Sequence, residues 1–354
     1  MARSVFDGRA VCHDFAVRVM SDKSITSNES IKARFEDFAG IEKLEGFSLG
    51  RLFSDVFKHH PAAEIEEMFT IGTERTTPKI EDVDCSWPRP WMFFRALAGS
   101  AFVYVLFVIG WECFENVNLL PGLIAVGAFA MPISTLVFFF EVNVRRNVSV
   151  YQVMRMVVKG GVISLLFSLA LYVLPLDELS GLGASIAGMI EEPGKLLALL
   201  VMAKSDRYHY KLNGLLLGAA VGAGFAAFES MGYAFSILLE EGPGAMNGNI
   251  LLRGFLSPFG HVVWTAICGC ALWRVKGKNP FSWDMVENVK FWHLALVPVI
   301  LHAIWNADFE LPFLAKYFSL GGVAWLVVLA LVQEGLKELR EERHEARPLS
   351  MLDV

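Results

Sequence analysis

The sequence predicts an all-α polytopic membrane protein: about eight transmembrane helices preceded by a soluble, partly helical N-terminal region. Three observations predict this. First, 54% of the 354 residues are hydrophobic and only 19% are charged; mean hydropathy is +0.46, a value that soluble chains of this size rarely reach. Second, beyond about Pro90 the chain divides into apolar runs close to the ~20 residues that span a bilayer. Third, the basic residues between those runs alternate from loop to loop.

Residues 1–30 are polar and aperiodic. Residues 31–70 carry apolar side chains at helical spacing, at Ala33, Phe35, Phe38 and Ile41 and again at Leu52, Phe53, Val56 and Phe57. Gly72–Trp91 contains Pro78, Pro88 and Pro90 and reads as a linker. Trp87, Trp91, Phe93 and Phe94 are placed to lie at a membrane–water interface. The start lacks the basic-then-apolar pattern of a cleavable signal, so the first membrane helix is expected to target the chain.

The eight spanning segments fall at about 93–111, 119–140, 160–176, 182–203, 212–239, 250–273, 291–307 and 319–335. The third and seventh are short, and the fifth is long enough to tilt or protrude. Arg145, Arg146, Arg155 and Lys159 lie between the second and third. Lys204, Arg207 and Lys211 follow the fourth, Arg274, Lys276 and Lys278 the sixth, and Lys337, Arg340 and Arg343 the eighth. The other four loops hold only Lys316, with Arg253 near the outer end of the sixth segment. By the positive-inside rule both termini are expected in the cytoplasm, in a multi-pass protein of the cell membrane. The expected division is a soluble cytoplasmic region and linker over 1–90, a membrane-embedded domain over 91–340 and a cytoplasmic tail over 341–354.

The net charge of −6 comes with no basic face, which leaves nucleic-acid binding unsupported. Cys12, Cys85, Cys113, Cys268 and Cys270 form neither a paired framework nor a Cys-x-x-Cys motif. His13, His59, His60, His209, His293 and His344 fall in polar or interfacial stretches and read as ordinary surface residues.

The informative residues are polar groups inside apolar segments. The fourth segment holds Glu191, Glu192 and Lys195 around Pro193-Gly194, a pair expected to kink the helix. The fifth holds Glu229, the sixth His261, and the seventh His302 and Asn306. At about 1.5 Å rise per residue, these groups fall in one slab of the bilayer. A charge at a helix centre costs roughly 2.5–3.5 kcal/mol, so the groups are expected to face one another or water. A structural ion pair of Lys195 with Glu191 or Glu192 accounts for the fourth helix, but not for the convergence of four helices. Gly214, Gly218, Gly222 and Gly224 allow close packing around the site.

A buried glutamate can activate water as a general base. Two histidines and a glutamate can also hold zinc with a position open for water, leaving another glutamate as the base. Asn306 could donate to an oxyanion. A proton-coupled transporter using the same groups as a relay is the alternative, as is a membrane sensor or scaffold without catalysis. Transporters commonly contain inverted repeats, and none is visible here.

Glu191-Glu192-Pro193-Gly194-Lys195 resembles the Glu-Glu-x-x-Lys motif of the PrsW intramembrane proteases. Phe225-x-x-x-Glu229, His261 and His302-x-x-x-Asn306 resemble their later motifs, in the same order, over about residues 160–310. The resemblance, which extends to the Abi and CAAX prenyl endopeptidase group, implies a membrane-embedded endopeptidase acting on membrane-associated proteins. It implies that Glu191 or Glu192 activates water, that His261 and His302 assist it or bind zinc, and that Asn306 stabilises the oxyanion. Glu229 would bind the metal or orient a histidine, giving Glu229, His261 and His302 as the metal set, and Lys195 would orient a glutamate. Such proteins are usually labelled metalloproteases, and a metal-free glutamate mechanism has been argued for their relatives. Residues 1–90 lie largely outside these motifs and are expected to meet a cytoplasmic partner.

Overall fold

A computed structural model describes residues 44, 46–174, 181, 183–203 and 207–346. The patterning at 31–41, Cys12, His13 and most of the tail lie outside the described residues. All regular structure among the described residues is helical. Two short helices, α1 (Leu49–Leu52) and α2 (Ala62–Thr70), precede the membrane segments. Then come α3 (Met92–Phe114), α4 (Leu120–Val142) and α5 (Val150–Tyr172), the last with a π-helical turn at Met156–Gly160. Next are α6 (Ile186–Met202), α7 (Lys211–Glu241), α8 (Pro243–Leu256) and α9 (His261–Lys276). The series closes with α10 (Val289–Trp305) and α11 (Ala315–Ala346).

Among the described residues, each of the eight apolar segments falls on helix, and six spans are long and apolar enough to cross a membrane. The sixth segment is not one continuous helix: a 3-10 turn at Ser257–Phe259 and the non-helical Gly260 separate α8 from α9. Pro258 lies in the first turn of this segment, where its missing N–H leaves no bond unmade. Pro193, by contrast, lies inside α6, which continues through it to Met202. The last helix runs on to Ala346, well past its apolar part.

The long helix α7 is the centre of the bundle and is buried along almost its whole first half. Its glycines account for that position. A Cβ added at Gly214 would fall 2.7 Å from the carbonyl oxygen of Gly269, and one at Gly218 or Gly222 would meet the carbonyls of Thr265 or His261. Side chains are absent where α7 crosses α9, so the two backbones touch. Gly224 makes the same approach to Val157 in the π-helical turn of α5. In contrast, α3 is peripheral: Phe102, Val105, Leu106 and Ile109 are exposed, as a lipid-facing helix requires.

Residues 47–91 lie against the ends of the membrane helices. The buried carboxylate of Glu141 on α4 accepts the backbone N–H groups of Trp91, Met92 and Phe93 at 2.8, 2.8 and 2.9 Å. A negative charge there satisfies the free donors at the start of α3 and suits its dipole. Basic side chains of the helix connections and of α11 donate to carbonyls of the segment: Arg207 to Gly72 at 2.9 Å, Arg343 to Val83 at 3.1 Å, and Arg145 to Pro78. His60 is not the ordinary surface residue expected, since its ring stacks on Trp91 at 3.6 Å.

Candidate active site

The polar residues of α6, α7, α9 and α10 meet in one place. Lys195 is fully buried, and its Nζ donates to Glu192 Oε1 and to His261 Nδ1, each at 2.8 Å. It also lies 3.6 Å from Glu191 Oε2 and 4.1 Å above the ring of Phe225. Helical spacing explains the two carboxylate contacts: Glu191 and Glu192 precede Lys195 by four and three residues. The ammonium therefore neutralises a carboxylate that would otherwise be charged and alone in apolar surroundings.

Glu192 is shared. Its Oε1 also accepts from His302 Nδ1 at 2.9 Å. With the proton on Nδ1, the lone pair of His302 Nε2 is directed away from Glu192, 3.8 Å from Glu191 Oε2. Glu191 Oε1 accepts from the hydroxyl of Tyr172 at 3.3 Å, whereas its Oε2, with only the longer Lys195 and His302 contacts, is buried without a hydrogen bond, as is Glu192 Oε2. An orphaned carboxylate oxygen in such a site costs free energy unless something else engages it.

His261 begins α9, and the break at Ser257–Gly260 sets its direction. Its ring lies 4.9 Å from that of His302 and 5.2 Å from that of Trp264, measured between centroids. Because the Lys195 ammonium only donates, His261 Nδ1 is the acceptor, and Nε2–H faces Glu229 Oε2 at 3.2 Å. Glu229 is held from its other side by Arg253 of α8. Arg253 in turn donates to Ser230 Oγ at 2.9 Å and packs 4.5 Å from the centre of the Tyr233 ring.

Glu191, Glu229, Arg253, His261, His302 and Asn306 line a common cavity of about 480 Å³, with Tyr172 on its wall. Glu192 and Lys195 sit behind it. Asn306 caps α10, its backbone N–H bonding to the His302 carbonyl at 3.2 Å. All seven residues singled out from the sequence are thus in or directly behind one site. Sequence reading missed Arg253 and Tyr172. Arg253 stood out as an arginine in an apolar segment, the usual mark of a paired, functional charge, whereas Tyr172 gave no signal in the sequence.

Among the described residues, the group that could hold a metal ion is not the set named from the sequence. Ligand atoms of Glu191, His261 and His302 lie within 4.8 Å of one another, and Glu229 is not in this group because Arg253 draws it to the far side of His261. Two imidazoles and a carboxylate suit zinc. The orphaned Glu191 oxygen and the Glu192 carboxylate behind His302 Nδ1 are the first- and outer-sphere groups such an ion requires.

A family model described as PrsW family intramembrane metalloprotease matches residues 88–333. The chain belongs to this family. The match takes in α3 to α10 and most of the apolar part of α11, so every residue of the cavity lies within it. Protease PrsW of Clostridioides difficile (strain 630) is 25% identical over 162 residues, which are 44% of this chain and 59% of that relative. The chain thus spans less than two thirds of that curated relative's length in the match. No solved structure matches the chain.

Proposed function

We propose that this PrsW family member is an intramembrane endopeptidase that hydrolyses peptide bonds of membrane-associated proteins, with Glu191 as the residue that takes the proton from water. One observation carries the reading: Glu191, unlike Glu192, lies on the wall of the cavity that also holds His261, His302 and Asn306, and its buried Oε2 accepts no hydrogen bond.

The steps follow from the groups present. Water seated between Glu191 Oε2 and His302 Nε2 gives its proton to Glu191 while its oxygen bonds to the scissile carbonyl carbon. The Asn306 side-chain amide donates to the resulting oxyanion. The tetrahedral species then breaks its C–N bond, and the proton passes from Glu191 to the leaving amine nitrogen. Glu192 keeps His302 in the tautomer that leaves Nε2 open, and Lys195 holds Glu192 and His261 in place. Arg253 and Tyr172 act as positioning residues, on Glu229 and Glu191 respectively.

The donor set supports a second, zinc-assisted reading. Glu191, His302 through Nε2, and His261 once one of its nitrogens is released from Lys195 or Glu229, would hold the ion, which would supply a Lewis acid for the carbonyl and for water. Glu191 would then be committed as a ligand, and Glu229, beside His261 on the cavity wall, would be the free carboxylate able to take a proton.

The central test compares new protein N-termini in membranes from cells expressing the native chain and Glu191→Gln. Termini that arise only with the native chain, and that purified protein regenerates on the same substrate, support the proposal; identical profiles sink it. Chelation then separates the two readings. Activity retained in metal-stripped protein selects Glu191 as the base, whereas loss reversed by zinc selects the metal-assisted route. The domain division given above and a cell-membrane location with cytoplasmic termini complete the proposal, supported by the basic loops.

A further inference from the structure

A second cavity, of about 280 Å³, lies away from the site, among α1, α3, α4, α11 and the turn at Ser257–Phe259. Its walls include Phe53, Leu97, Met131, Phe138 and Leu329. The few polar groups there are already engaged. Ser134 Oγ donates to the Ala130 carbonyl at 2.6 Å, and Thr135 Oγ1 to that of Met131 at 2.9 Å. The indole N–H of Trp325 donates to the Pro258 carbonyl at 2.9 Å. A cavity whose polar hydrogens are spent within its own walls holds water poorly and favours an apolar occupant.

The surroundings identify that occupant. Phe53 packs on Phe93 at 6.0 Å between ring centroids, and Phe57 on Phe94 at 5.4 Å. These rings sit where α3 begins, and Phe57 is 87% exposed. The exposed apolar surface passes from Phe53, Phe57 and Phe94 onto Phe102, Leu106 and Ile109, the lipid-facing side of α3. Arg51 and Lys58 flank the two phenylalanines and are exposed, Lys58 paired with Asp55 at 2.6 Å and Arg51 the charge directed at a headgroup. Aromatic rings flanked by basic residues are the composition found at a headgroup boundary.

We propose that this cavity binds one acyl chain of a phospholipid from the leaflet at which α3 begins, with Phe53 and Phe57 at the headgroup boundary and Arg51 toward the phosphate. The inference does not depend on proteolytic activity. Ser257 lines the candidate active site and its neighbour Pro258 lines the lipid cavity, so the acyl chain packs against the turn that precedes His261.

The test uses the full chain in phosphatidylcholine–phosphatidylglycerol vesicles containing a trace of phospholipid with a mid-chain diazirine. After irradiation, label is expected on Met131 and Leu329 as well as on the outer face of α3. Leu97→Trp and Ser134→Leu each add bulk to the cavity and should lower labelling of Met131 and Leu329 by at least about fivefold. Labelling of Phe102, Leu106 and Ile109 should be unchanged in both, which also reports that α3 is intact. Native label confined to that outer face overturns the proposal, as does undiminished Met131 labelling in two folded filled variants. So does preferential labelling of Met131 by a diazirine-bearing apolar peptide in the same vesicles.

Discussion

Glu191 and Glu192 are neighbours in sequence with different surroundings. Each has one buried oxygen without a hydrogen bond, but Glu192 is bound through the other to Lys195 and His302 behind the cavity, while Glu191 lies on the cavity wall. Glu191→Gln should therefore lower the cleavage rate by at least about 100-fold, the scale of general-base loss. Glu192→Gln should cost about 10–100-fold, the range for a group that orients another. Both should keep a native melting profile in detergent; unaltered cleavage by Glu191→Gln would refute the assignment. Arg253 is argued to act through Glu229, which a double-mutant cycle can resolve. Arg253→Met should reduce activity in the native background but have little further effect in Glu229→Gln. Independent, multiplicative losses would mean that Arg253 acts on the substrate or the fold directly.

At the scale of elements, the site depends on one broken helix and one helix without side chains at its crossing. The turn at Ser257–Gly260 lets α9 begin at His261, and Gly222 on α7 approaches the His261 carbonyl closely. Gly222→Ala puts a methyl group into that contact. It should destabilise the protein by about 1–3 kcal/mol, as overpacking does, and depress activity by moving His261. Thermal unfolding and cleavage measured on the same preparation check this; a fully native variant would show that the crossing tolerates a wider gap. By comparison, Gly232→Ala has open space around the new methyl and should be silent in both measurements.

Across the whole molecule, the basic residues that alternate along the loops also touch the segment that precedes α3. Arg145, Arg207 and Arg343 all donate to carbonyls between Gly72 and Val83, which ties residues 72–83 to one end of the bundle. Reporter fusions after Asn116 and after Arg145 test the orientation. The first is expected to report the outer side and the second the cytoplasm; the reverse pattern would overturn the topology. The same three contacts predict that alkaline washing of membranes will not release residues 47–87 after the chain is cut both in the 40s and between Trp87 and Trp91. Release of that fragment would mean that the contacts are too weak to hold it.

The apolar runs alone determined the helices and their order, because crossing a bilayer demands about 20 apolar residues whatever the neighbours are. The cost of an unpaired charge in lipid likewise made Glu191, Glu192, Lys195, Glu229, His261, His302 and Asn306 stand out together. Which nitrogen meets which oxygen was not legible. Glu191 and Glu192 have the same chemistry and differ only in where α6 points them, and nothing in the sequence shows that Glu229 meets Arg253, 24 residues away. The break before His261 was hidden too: Pro258-Phe-Gly260 lies within a continuous apolar run, and hydropathy does not register a missing N–H. The roles proposed for these residues rest on hydrogen-bond geometry across helices, which depends on how backbones pack at Gly218 and Gly222, a property of facing surfaces rather than of any one segment.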